Sequence, residues 1–342
     1  MISSIALVLA QAGSYGSILV YETPKGKAGW DRGYATATVL NENEAVAGYA
    51  CETVGNHGEA MFAKPFVWQS GTFRWLPLGK AEYGRVFAGN ENTLVGEILI
   101  DYKTLPAKWT ADPKVGWAKP TLTQLGSEGG YAIAISETGT IWIKHAEHIT
   151  CLGASTTRIK LEKFDIVGVD AKDRAWGNQY SSLGFASTRN GESAAYLEEG
   201  KLNALPYKVK ARAVNSKGVL CGVEVDTAVQ SSWGPTERGP VIVADGKIIS
   251  ILLPKNRFSD VRDINDSRQV VGSFNVAESK PKKGESEFHS VGFIYANGGI
   301  KLLSPPASDA SDFSPLRIND RGTMVGVSTV QSRYRIYLRR PR

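Results

Sequence analysis

One nine-residue pattern, Ile318-Asn319-Asp320-Arg321-Gly322-Thr323-Met324-Val325-Gly326, recurs along the chain and limits its fold more than any other feature. A unit that repeats at this spacing must pack on copies of itself, because one copy cannot bury its apolar face alone. With Asn319 as zero, an apolar residue precedes the anchor, apolar residues follow at plus five or six, and glycine stands at plus seven. Seven copies fit, anchored at Asn41, Gly89, Ser136, Asp170, Asn215, Asn265 and Asn319, with spacings of 48, 47, 34, 45, 50 and 54 residues. Position plus six reads Ala47, Val95, Trp142, Trp176, Cys221, Val271 and Val325, which marks a core row. Ile143 replaces the closing glycine in the third copy.

Plus three holds Gly139, Gly218, Gly322, Asn92 and Asp173, residues that accept positive φ, with Glu44 and Arg268 as exceptions. Each copy therefore reads as strand, tight turn, strand. A second hairpin signal follows at Ser70-Gly71, Glu199-Gly200, Asp245-Gly246 and Asn297-Gly298, between flanks such as Phe66-Val67-Trp68 and Ile300-Lys301-Leu302-Leu303. Four antiparallel strands about every 45 to 50 residues, seven times over, predict an all-β fold: a seven-bladed β-propeller of four-stranded antiparallel blades. A helical solenoid would show apolar spacing near 3.6 residues instead.

The segment Ser17 to Tyr21 belongs to no complete copy, and the seventh copy stops without a fourth strand. The N-terminal strand is expected to complete that blade and close the ring, so that no sheet edge is left bare. In the third copy Ile141-Trp142-Ile143 runs almost directly into His145-Ala146-Glu147-His148, which predicts a cut-down or irregular blade. Other copies carry insertions between their second and third strands, the longest at Glu224 to Arg238 and Asn275 to Ser290.

Residues 1–12 read as a signal peptide, apolar and uncharged to Ala10 and ending in Ala10-Gln11-Ala12, with a misplaced start codon or a plain buried strand as the alternatives. Residues 13–342 then form a single domain, and the expected location is extracellular or periplasmic. No later stretch is long enough to span a membrane. Three cysteines make no disulfide framework and read as inert thiols. The net charge of +6 gathers near Arg333, Arg335, Arg339, Arg340 and Arg342, read as a solvated outer edge. No basic stripe is interleaved with aromatics, which argues against nucleic acid as a partner.

The runs Ile264-Asn265-Asp266 to Val271-Gly272, Phe293-Ile294-Tyr295, and Phe66-Val67-Trp68-Gln69-Ser70-Gly71 resemble the HAF-repeat proteins, probable extracellular bacterial repeat proteins. The resemblance runs from Tyr34 onward, although the His-Ala-Phe triplet is degraded to Lys64-Pro65-Phe66 and Val291-Gly292-Phe293. It implies export and a propeller-like fold, and it transfers no cofactor and no catalytic residue.

His145, His148 and Cys151 are spaced three apart, which on strands sends neighbours to opposite faces. Only a turn between Ile143 and Ile149 could gather them, so no metal centre and no cofactor are expected. The first strands carry Arg85, Asp165, Arg212, Asp260, Arg262, Asp263 and Arg317, and Asp309 and Asp312 enter the last of them. These reach the channel mouth or form salt bridges between blades. The favoured reading is an exported, monomeric, non-catalytic binding module for an unknown extracellular or envelope ligand. The alternative is a propeller hydrolase or lyase acting on an extracellular polymer, and catalysis is left open. Any ligand is expected on the face of the insertions, near Trp233, Arg262, Asp263 and Arg317.

Overall fold

A computed structural model describes residues 15–23, 33–51, 62–160, 163–180, 182–183, 189–190, 193–231, 234–253, 259–277, 288–310, 312–330 and 333–342. Seven four-stranded antiparallel sheets emerge, six of them meanders in chain order, beside a two-stranded ribbon of Ser182–Leu183 and Arg189–Asn190, with no helix among the described residues. The first strands are Tyr34–Leu40, Tyr83–Gly89, Tyr131–Ile135, Phe164–Val169, Val209–Val214, Ser259–Ile264 and Ser314–Ile318. Each touches the first strands of both neighbouring sheets, and the series returns from the seventh to the first. This is the expected seven-bladed β-propeller.

Turn chemistry accounts for the blades. At the anchored turns Glu44, Gly139, Asp173, Gly218, Arg268 and Gly322 all adopt positive φ, so the two exceptions follow the rule despite their side chains. Both central residues of Ser70-Gly71, Glu199-Gly200, Asp245-Gly246 and Asn297-Gly298 do the same, which suits the twist of tight hairpins. In the second copy the anchor is Asn90 rather than Gly89. Its turn is one residue shorter, with Asn90 N–H donating to Thr93 O at 2.9 Å, and Asn92 stays outside the left-handed region.

Three residues before each anchor the first strand bulges, at Thr38, Phe87, Ile133, Val167, Arg212, Arg262 and Leu316. The bulge drives the first strand's backbone against the second strand. A Cβ on Gly48 or Gly96 would fall on the carbonyl oxygen of Thr36 or Arg85, which explains the glycine row.

The anchors also tie blade to blade. Nδ2 of Asn215 donates to Asn265 O at 2.9 Å, Asn265 to Asn319 O at 2.9 Å, Asn319 to Asn41 O at 3.1 Å, and Asn90 to Ser136 O at 3.1 Å. A second tier runs beside it, with backbone N–H of Glu42, Ser216, Asp266 and Asp320 donating to the carboxylates of Glu91, Asp266, Asp320 and Glu42. Apolar clusters fill the seven interfaces, one between each pair of neighbours. The plus-six row lies within them, and wholly buried rings such as Phe66, Phe164, Phe293 and Phe313 contribute about 1.5–3 kcal/mol each before entropy is charged.

The strand Tyr15–Glu22 pairs with Arg333–Pro341, so the N-terminus supplies the missing strand as expected. The terminal arginines are a solvated edge only in part: Arg340 and Arg342 are exposed, Arg333 and Arg335 are half-buried and Arg339 is buried. Arg335 binds Glu22 at 2.8 Å and Asp309 at 2.7 Å, Arg340 binds Glu44, and Arg339 is buried against the Tyr15 and Phe313 rings. They hold the closing strand because its partner strand must bind on both sides. Blade three is complete rather than cut down, with Thr156–Lys160 as its fourth strand; only its second-to-third connection is short. The insertion at Glu224 to Arg238 extends its blade. The strands Leu220–Ser231 and Gly234–Ala244 run on into it as a hairpin, pinned by Arg238 on Asp226 at 2.7 Å.

Candidate functional site

In a meander, second-to-third connections and passages between blades share one face, and the anchored turns occupy the other. On the anchored face four asparagines are taken up by links between blades. The insertion face carries the charge. Five residues before the anchor, near that mouth, stand Thr36, Arg85, Tyr131, Asp165, Lys210, Asp260 and Ser314. Deeper, at the bulge row, most side chains are apolar, among them Phe87, Ile133, Val167 and Leu316.

Two of these charge pairs link neighbouring blades, and the rest lie within one blade. Lys144 of blade three binds Asp165 of blade four, and Arg212 of blade five binds Asp260 of blade six at 3.2 Å. Arg262 returns to Asp260 at 2.9 Å, while Arg212 and Lys210 also reach Glu237. Arg85 pairs within its own blade with the buried Glu97, whose carboxyl is pushed up by burial against the pull of Arg85. Asp309 is engaged by Arg335, and Asp312 accepts from Ser328 Oγ and Thr329 N–H. The four aspartates of blades six and seven therefore do not converge.

Of the four candidate ligand residues, Trp233 lies outside the described residues. Arg262 is exposed and joins Asp260 rather than the others. Asp263 and Arg317 are electrostatic neighbours at the junction of blades six and seven. Asp263 Oδ2 accepts from Ile318 N–H at 2.9 Å, and Arg317 Nε donates to Thr38 O at 2.8 Å, across into blade one. Burial raises the Asp263 carboxyl above its ordinary range, outweighing the Arg317 charge and two backbone hydrogen bonds.

Their row gives this pair its meaning. Two residues before the anchor, the other five blades carry Val39, Ala88, Ala134, Gly168 and Ala213. Small apolar side chains suffice there for packing, since a Cβ on Gly168 would already meet Val214 Cγ1 at 2.8 Å. Only blades six and seven place charges in that packing row. Sequence reading named both residues but not this shared level, which the mis-set second anchor obscured.

Cys51 and Cys221 are buried, and burial raises all three thiols, as inert cysteines require. His145 and His148 do meet, through the turn that alone could gather them, but the third member of their group is Glu128 rather than Cys151. No periodicity signals Glu128, because it lies in a passage between blades.

Fold and site thus define a seven-bladed β-propeller closed by its N-terminal strand, with a charged insertion face. No protein-family model and no curated protein sequence matches the chain. Among solved structures it is similar to the β-propeller domain of the Trilobed protease from Pyrococcus furiosus, described as having an open velcro topology. That match has a TM-score of 0.59 at 12% identity and covers 90% of this chain and 93% of that one. Looser likenesses are a Pyrococcus horikoshii acylaminoacyl peptidase (TM-score 0.47, 10% identity, 86% of this chain and 49% of that one) and a Mycobacterium tuberculosis puromycin-hydrolyzing peptidase (TM-score 0.38, 10% identity, 88% and 58%). Identity this low establishes the fold. The expectation of a non-catalytic binding module meets a counter-finding here: the solved ring that overlaps nine-tenths of this chain is the propeller domain of a protease.

Proposed function

We propose that this propeller acts as a hydrolase on an extracellular polymer, admitted at the insertion-face mouth of the channel. The observation that carries the reading is the charged pair Asp263 and Arg317 in a row that packing fills with small apolar side chains. A carboxyl raised by burial keeps a proton at higher pH than an exposed one, which suits a general acid that protonates a leaving group. Arg317 beside it is placed to stabilise developing negative charge. Asp260, Arg212 and Arg262 offer both signs of charge for holding an incoming chain. The protease identity of the similar ring makes polypeptide the first substrate class to test.

Action outside the cytoplasm belongs to the same proposal. It is supported by the apolar N-terminal stretch ending in Ala10-Gln11-Ala12 and by the motif resemblance to HAF-repeat proteins.

The test is incubation of the purified chain with casein, labelled peptides and envelope polysaccharides, reading newly formed chain ends. Cleavage of one class is expected, and Asp263→Asn should lower kcat by roughly 100-fold or more while the unfolding midpoint holds. Failure to cleave any class, or full activity in Asp263→Asn, would overturn the reading.

A further inference from the structure

The second-to-third connection of blade three is a two-residue turn, closed by His145 N–H donating to His148 O at 2.9 Å. It sets the two imidazoles face to face, with ring centroids 4.2 Å apart and planes 12° from parallel. Glu128 arrives from the passage between blades two and three. Its carboxylate and the two rings bring three donor atoms within 4.8 Å of one another.

Each histidine is prepared in a different way. His145 Nδ1 lies 2.8 Å from Gly129 O, and a carbonyl only accepts, so Nδ1 carries the proton and Nε2 keeps its lone pair. Metal-binding histidines are commonly oriented by this backbone bond. Gly130 makes the close pass possible, because a Cβ there would meet Lys144 O at 2.6 Å and His145 Nδ1 at 2.8 Å. The His148 side chain is 6% exposed, and its Nε2 is buried without a hydrogen-bond partner, 3.7 Å from Glu128 Oε1. Arg158 Nη2, which can only donate, lies 3.1 Å from His148 Nδ1, so that nitrogen presents its lone pair.

We propose that Glu128, His145 and His148 bind a divalent first-row transition ion, Zn2+ fitting best, on the insertion face of blade three. Two imidazole nitrogens and one carboxylate oxygen are a borderline donor set, and three protein ligands leave a fourth position for water or another oxygen ligand. Metal bonds near 2.1 Å put tetrahedral donors about 3.4 Å apart, so the group closes by on the order of 1 Å and the stacked rings fan apart. Arg158 leans on two of the ligands, its Nη2 3.1 Å from Glu128 Oε1 and 3.1 Å from His148 Nδ1. The ion and this guanidinium compete for the same groups, and Arg158, 62% exposed, is free to swing into solvent. The site stands independently of the hydrolase reading.

The test is calorimetric titration of EDTA-treated full chain with Zn2+, with Co2+ and its visible absorption bands as a spectroscopic probe. One equivalent is expected to bind. His145→Ala and the half-exposed Glu128→Gln should each weaken affinity at least about tenfold with the circular dichroism spectrum unchanged. Arg158→Ala should tighten binding several-fold, which a merely structural histidine pair would not produce. The chain has four histidines, so His57→Ala and His289→Ala serve as controls that leave binding intact, as does Cys151→Ser. No binding at equimolar concentration, binding that survives both His145→Ala and Glu128→Gln, or binding lost in Cys151→Ser overturns the proposal.

Discussion

Replacing Asn265 by alanine removes four hydrogen bonds from a side chain only 4% exposed. Its Oδ1 accepts from Ser267 N–H at 3.1 Å and Gln269 N–H at 2.9 Å, while Nδ2 donates to Gln269 Oε1 at 2.8 Å and Asn319 O at 2.9 Å. Net hydrogen bonds are worth about 0.5–1.5 kcal/mol each, and stranding a buried partner costs about 1–3 kcal/mol. Asn319 O keeps a second donor, Gly322 N–H at 3.0 Å, so the inter-blade loss falls near the low end. The expected total is about 2–4 kcal/mol. Serine separates the two roles, because Ser136 already serves as an anchor, its Oγ accepting from Thr140 N–H at 3.1 Å. It is too short to reach the next blade. Asn265→Ser should therefore retain the turn and lose the link together with the Gln269 Oε1 bond, at a cost of about 1–2 kcal/mol. Urea unfolding followed by tryptophan fluorescence, with unchanged slope, reads both. An alanine variant within about 0.5 kcal/mol of the parent would refute the ring as a source of stability; serine and alanine variants of equal stability would refute the separation.

Two other perturbations probe the scaffold. Gly322 has φ of +75°, and valine there should lower stability by about 1–3 kcal/mol in the same urea assay, whereas asparagine should be tolerated far better. At Glu22, burial would raise the carboxyl, but the hydrogen bonds and charges of Arg335 and Arg333 outweigh it and hold it below the ordinary 4.5. A depressed carboxylate contributes stability that is complete above the unfolded value and is lost as pH falls through the folded one. Amide exchange in Tyr15–Glu22 should accordingly quicken below about pH 4.5 relative to the blade cores, and Glu22→Gln should remove that dependence; parent-like acid sensitivity in Glu22→Gln would show that another group controls the closure.

The repeat made the fold legible because each blade is built from local interactions. Asn265 with its turn, Asn297-Gly298 with its hairpin and the Val271 row with its alternation are decided within a few residues, and seven repetitions leave one way to bury the rows. The unpaired Ser17 to Tyr21 strand showed how the ring closes for the same reason: a missing strand and a spare one can be counted.

Side-chain partners across blades are a different matter, since they depend on which residues the ring brings level. Asn265 was readable as a turn former, yet its bond to Asn319 spans 54 residues of sequence. The bulge at Arg262 turns that residue toward Asp260 and leaves Asp263 to the blade junction, a phase that alternation alone assigns wrongly. Glu128 carries no pattern at all and meets His148 only because two blades are neighbours. Local periodicity therefore determined the blades and their closure, while the packing of one blade on the next decided which charges and imidazoles face each other, because that contact is set by the rotation between blades and by no spacing along the chain.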